Sequence, residues 1–113
     1  LKNKKLRKNA VLMIPYKNPE IEWEKKENLI ILVINRNKVF DKIMQKIFKS
    51  PKSVNIELDE LGSFVWEKCD GVSNIRDICE AVKQRFGKEA EPAMERLLTY
   101  IKILINNNLI EIT

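Results

Sequence analysis

Few side chains in this chain could carry covalent or acid–base chemistry. It has no histidine and only two cysteines, Cys69 and Cys79. Without an imidazole there is neither a base that titrates near neutral pH nor a nitrogen ligand for a metal. The two cysteines are too far apart in sequence for a CxxC pair, and both fall at apolar positions of predicted helices, where a thiol behaves as a small hydrophobe. Asp59, Asp77 and the glutamates fit helix caps and solvated faces better than a paired acid and base. No glycine-rich phosphate loop is present. These absences predict a protein that is not an enzyme, with no catalytic residue, no metal site and no cofactor. What remains is binding chemistry, carried by main-chain groups and apolar surface.

Charge narrows the partner. Of the 21 basic residues, Lys2, Lys4, Lys5, Arg7 and Lys8 alone account for the net charge of +5, so residues 9–113 are neutral. A neutral body gains little of the counterion-release affinity on which duplex binding rests, and nucleic acid is disfavoured as a partner. The longest apolar run, Leu29 to Ile34, is far short of the roughly 20 residues that cross a bilayer, which predicts no membrane partner. Ala10 to Ile14 is too short for the core of a secretory signal, and the expected location is the cytoplasm. With 113 residues, 44% hydrophobic and 33% charged, the chain has room for one folded domain. The expected division is a basic flexible tail over residues 1–14, carrying a short apolar run, and a single domain over residues 15–113. That apolar run could also sit on the strand edge of a second copy, which makes a homodimer a further partner to consider.

The elements follow from periodicity. Ile21 to Glu24 alternates apolar and acidic residues as a strand with one buried face, and Lys25 to Asn28 reads as a turn. Leu29 to Ile34 suits a strand covered on both faces. Val39, Phe40, Ile43, Met44, Ile47 and Phe48 recur at steps of three and four, predicting an amphipathic helix over 38–49 that ends at Ser50-Pro51. Val54, Ile56 and Leu58 then alternate with Asn55 and Glu57 as a third strand. From Asp59 onward the pattern is helical. Asp59 caps a first helix closed by Asp70-Gly71, and Asn74 with Asp77 forms a capping box for a second that stops at Gly87. Pro92 opens a longer third helix running to about Asn107, with Asn108 in the left-handed cap position. The expected fold class is therefore α+β, a three-stranded antiparallel sheet followed by three helices, with a winged helix-turn-helix core.

On the third helix, Met94, Leu97, Leu98, Ile101 and Ile105 form one apolar stripe, and Ala93, Tyr100, Ile103 and Leu104 widen it to one side. Such widening either packs under another element or walls an apolar groove. Trp66 and Asp70 read as a core aromatic and a helix-terminating carboxylate.

The stretch Leu58-Asp59-Glu60-Leu61-Gly62-Ser63-Phe64-Val65-Trp66, followed by Cys69-Asp70-Gly71, resembles the PqqD-like family. Asn74, Asp77 and Ile78 fit that family's capped second helix, and Asn108-Leu109-Ile110-Glu111 fits its chain ending, with Asn108 in place of the usual glycine. The similarity spans about residues 15–112, and the 38–49 helix lengthens one connection beyond that of compact members. The resemblance implies a non-catalytic chaperone, a recognition element for ribosomally made and modified peptides. Such a protein binds the leader segment of a precursor peptide and presents it to a modifying enzyme, often a radical S-adenosylmethionine (SAM) enzyme. It further implies that the leader adds as a strand along the third strand, at Ser53, Val54, Asn55, Ile56 and Glu57, and packs beside the third helix at Ala93, Leu97, Tyr100, Ile103 and Leu104. A winged-helix nucleic-acid binder, motivated by the basic tail, is the alternative. A third reading is an adaptor docking through the 38–49 helix.

Overall fold

A computed structural model describes residues 10–35 and 53–113. The helix predicted over 38–49 and the basic residues 1–9 lie outside them. Strands β1 (Pro15–Lys17), β2 (Glu22–Lys26), β3 (Leu29–Asn35) and β4 (Ser53–Glu57) precede helices α1 (Glu60–Lys68), α2 (Ile75–Phe86) and α3 (Ala93–Asn106), and β5 (Ile110–Ile112) follows. β2, β3 and β4 form an antiparallel sheet in that order, so the α+β class with a three-stranded sheet leading into three helices is the one observed. β1 and β5 make a separate two-stranded ribbon.

The β2–β3 hairpin turns on two residues rather than the four expected. Glu27 and Asn28 both take the left-handed backbone, with φ of 52° and 68°, as a turn matching the twist of its strands requires. Lys25 and Lys26 are thereby free to extend β2. β3 departs from expectation in a second way. Ile30, Leu32 and Ile34 are buried, but Leu29, Ile31 and Val33 are only half-buried. Among the described residues the helices cover one face of the sheet, so this strand is not enclosed on both sides.

Each helix starts and stops where its sequence signals it. Asp59 accepts the Gly62 N–H at 2.7 Å, and Gly71 takes φ of 79° just beyond α1. The Asn74–Asp77 capping box is formed in both directions. Asn108 adopts φ of 59° past the end of α3. The buried faces of all three helices and of β3 share one core, in which Trp66, Ile30, Ile78 and Leu104 are among the largest enclosed side chains.

The segment Ala10–Ile14, expected to belong to the flexible tail, is tied to this body. The carbonyls of Val11 and Met13 accept the N–H groups of Arg76 (2.9 Å) and Ile75 (3.0 Å), and Ile14 exchanges a pair of bonds with Thr113. The first N–H groups of a helix have no partner within it, and α2 finds two here. The backbone of this run is thus engaged within its own chain. No helix among the described residues is long and apolar enough to cross a membrane.

Candidate functional site

The expected binding strand is β4, and its geometry can be derived rung by rung. Ile31 faces Glu57, Leu32 faces Ile56 and Val33 faces Asn55. One step further, the Leu58 N–H donates to the Ile30 carbonyl at 2.8 Å. In an antiparallel pair the residues that exchange bonds alternate with those that do not. Leu58, Ile56 and Val54 therefore direct their main-chain groups toward β3, whereas Glu57, Asn55 and Ser53 direct theirs away from the sheet. No described strand occupies that side. The free edge of β4 thus offers the N–H and C=O groups of three alternate residues.

Ser63, on α1, fixes the end of this strand. Its hydroxyl accepts the Ile30 N–H at 2.9 Å and donates to the Leu58 carbonyl at 3.2 Å. The hydroxyl stands in for a direct return bond between Ile30 and Leu58. It also anchors the start of α1 against the sheet, and Ser63 is buried, at 2% exposure.

Side chains on the edge divide by face. Asn55 and Glu57 are exposed on the face away from the core. Ile56 points to the core side, opposite the buried Leu32, yet remains 40% exposed, so apolar surface lies uncovered beside the edge. On α3, Ile103 is also exposed, at 50%.

The remaining residues expected on α3 separate. Ala93, Leu97 and Tyr100 come together in the wall of an open cavity of about 180 Å³, completed by Asp59, Leu61, Gly62, Val65, Val82, Ala90 and Arg96. Ile103 does not line it. Leu104, expected in the groove, is instead buried at 2% in the core, while Ile105, expected in the core stripe, is 37% exposed. The helix is rotated from the expected orientation so that Ala93, Leu97, Ile101 and Leu104 face inward. Leu104 is therefore part of the core rather than of an exposed face.

Tyr100 joins the cavity to the strand. Its hydroxyl donates to the Gly62 carbonyl at 3.3 Å, in the first turn of α1, immediately after the Leu58-Asp59 link that follows β4. Burial, and then the nearby Asp59 carboxylate, hold the Tyr100 hydroxyl well above its usual range, so it stays a neutral donor. A Cβ on Gly62 would lie 2.9 Å from both the Asp59 Oδ1 and the Tyr100 oxygen. Glycine is what permits α1 and α3 to approach this closely. A glycine inside a predicted helix was the available signal for this contact. Arg96, Val82 and Ala90 gave none, since only the packing of three helices brings them together.

Trp66 and Asp70 have the structural surroundings expected of them. Trp66 is fully buried with the Trp23 ring edge-on at 6.3 Å, and the Lys17 ammonium lies over both rings while donating to the Cys69 carbonyl at 3.0 Å. Asp70 accepts the N–H groups of Ser73 and Val72, which hold its carboxyl below the usual range. Burial pushes the Cys69 thiol up to about 12, as expected for a packed rather than reactive sulfur. Among the described residues no group of three or more Cys, Asp or Glu is placed to hold a metal.

The family described as Coenzyme PQQ synthesis protein D (PqqD) matches residues 47–110, a span that begins before β4 and closes on β5. No curated protein and no solved structure matches the chain.

Proposed function

Because the chain belongs to the PqqD family, we propose that it is a peptide chaperone: it takes the leader segment of a ribosomally made precursor peptide as an added strand on β4 and presents it to a modifying enzyme of the radical SAM class. Members of the family are non-catalytic accessory proteins, and in this reading catalysis belongs to the partner. The observation that carries the proposal is the free edge of β4. Ser53, Asn55 and Glu57 direct their main-chain groups outward, and uncovered apolar surface at Ile56 lies beside them. Main-chain bonds to an added strand set register and supply part of the affinity, while pockets for alternate side chains choose the sequence.

The register has a consequence for the ligand. A peptide strand laid on this edge places alternate residues on the side of Ile56, where apolar side chains are favoured. The residues between them fall beside Asn55 and Glu57, where polar or basic ones are. A nucleic-acid reading has less support. The exposed faces of α2 and α3 mix Arg76, Lys83, Arg85, Arg96 and Lys102 with Asp77, Glu80 and Glu95 instead of forming a basic stripe.

The test is a titration of a synthetic leader peptide into isotope-labelled protein. Amide signals of residues 53–57 and of the α3 face from Ala93 to Leu104 should shift. Perturbations confined to α2 would sink the reading. Duplex DNA added at low salt should leave the spectrum unchanged.

A further inference from the structure

We infer that the corner where residues 10–13 meet residues 70–73 is a docking surface for an anionic lipid membrane, on which the protein rests without crossing it. Two turns lie side by side there. The Met13 N–H donates to the Ala10 carbonyl at 3.0 Å and closes the first. Asp70 Oδ1 accepts the N–H groups of Val72 and Ser73, both at 2.9 Å, and closes the second. The Gly71 N–H donates to the Pro15 carbonyl and the Ile75 N–H to the Met13 carbonyl, each at 3.0 Å, so the two segments are fixed to one another. Turn positions are ordinarily filled by glycine, proline, asparagine, aspartate or serine. These carry Leu12, Met13 and Val72, which are 54%, 40% and 78% exposed. None of the three belongs to the core. Folding therefore gives no reason for apolar residues here, and a cluster of them on bonded turns marks a contact surface.

Charge selects the occupant. Lys2, Lys4, Lys5, Arg7 and Lys8 precede Ala10 in sequence by two to eight residues. Arg76 stands in the first turn of α2, with its N–H on the Val11 carbonyl at 2.9 Å. The carboxylates of this region are engaged, Asp70 in closing its turn and Asp77 in accepting the Asn74 N–H. Attachment to a membrane surface strengthens with the apolar area buried at the headgroup boundary and with the cations that meet anionic lipids. The corner supplies both. Side chains this exposed stand out from the surface instead of lining a groove. That suits insertion among fluid headgroups better than a close fit to a second folded protein, which needs complementary shape. No described helix is long and apolar enough to cross a membrane, but resting on one needs no such helix.

Co-sedimentation with vesicles of phosphatidylcholine, with and without phosphatidylserine, tests this on the full chain. The wild type should bind the phosphatidylserine vesicles, release as salt rises, and ignore phosphatidylcholine alone. Leu12→Ser with Val72→Ser should weaken binding by about tenfold or more while Tm holds, since both side chains lie outside the core. Lys4→Gln with Lys5→Gln and Lys8→Gln should weaken it as well and flatten the salt dependence. Absence of binding to the phosphatidylserine vesicles at low salt overturns the inference and leaves the corner to an acidic protein. Undiminished binding by the double serine variant sinks it too, because the cations then act without the turns. Equal binding to both vesicle types removes charge as the selector and likewise overturns it. A paramagnetic headgroup lipid in the same vesicles locates the contact. Amide signals of Leu12, Met13, Val72 and Ser73 should broaden before those of Asn55 and Ile103, and the reverse order refutes the corner. Strand addition at β4 stands or falls separately.

Discussion

Strands β2 and β4 flank the same central strand, and among the described residues neither is paired on its outer side. An unpaired strand is a template for stray association, and proteins commonly guard it with charge. β2 is guarded in this way. Glu22, Glu24, Lys25 and Lys26 leave Trp23 as its only uncharged residue, and Lys25 is further held by Glu67 at 3.0 Å. β4 has the sequence Ser-Val-Asn-Ile-Glu, with Glu57 its one charge and Ile56 left 40% exposed. One sheet thus carries a closed edge and an open one. In the proposed reading, the difference teaches that a binding edge is marked by the guard it lacks as much as by the contacts it offers.

The comparison can be broken most sharply at Asn55. Its N–H points away from β3, so Asn55→Pro removes a donor that no described strand takes and that an added strand would use. Leader-peptide affinity measured by calorimetry should fall by at least about tenfold, with a small change in stability. Lys25→Pro on β2, whose N–H also points outward, should leave peptide affinity unchanged. Moving the proline one residue along, Ile56→Pro, breaks a bond to β3 and should destabilise the fold itself.

A second prediction concerns stability at the open edge. Ser63→Ala leaves the Ile30 N–H and the Leu58 carbonyl without their shared partner, a loss of about 1–3 kcal/mol in denaturant unfolding. Because β4 loses its anchor at the same point, peptide affinity should drop as well.

The closed edge can be opened. Replacing Glu22, Glu24 and Lys26 together with threonine should produce concentration-dependent self-association in sedimentation experiments, with little change in stability. If the triple variant stays monomeric, charge is not what guards β2.

The smallest effect is expected at Asp70, away from both edges. Its carboxyl is depressed in the folded protein by the Ser73 and Val72 N–H groups. It therefore contributes stability above its unfolded value of about 3.9, and that contribution is lost as pH falls through the folded value. Asp70→Asn should flatten the acid end of the stability–pH curve slightly and leave neutral-pH peptide binding unchanged.

Much of this architecture was legible from local signals. Asp59, Asn74 with Asp77, Gly71, Gly87 and Asn108 each mark a helix boundary through a bond or a dihedral set within a few residues, and each signal was met. β4 was likewise readable from the alternation of Val54 and Ile56 with Asn55 and Glu57. Less was visible where the outcome depended on what lies opposite. The apolar run from Leu29 to Ile34 looks the same whether one face is covered or two. β1, three residues opening with proline, becomes a strand only because β5 returns beside it.

The candidate site divides along the same line. By itself the sequence determined that histidine-based and phosphate-loop chemistry are absent, that β4 alternates and carries little charge, and that α3 has an apolar face wider than one stripe. Those are properties of composition and of period, and they need no partner. Tertiary structure alone decided which residues of that wide face are available. A rotation of α3 about its axis buries Leu104 and exposes Ile105, and periodicity is too coarse to fix such a turn. The close approach of α1 and α3 at Gly62 then leaves the cavity that Ala93, Leu97 and Tyr100 share with Asp59, Val82 and Arg96. Whether apolar side chains meet each other or enclose a space is settled by how three helices fit together.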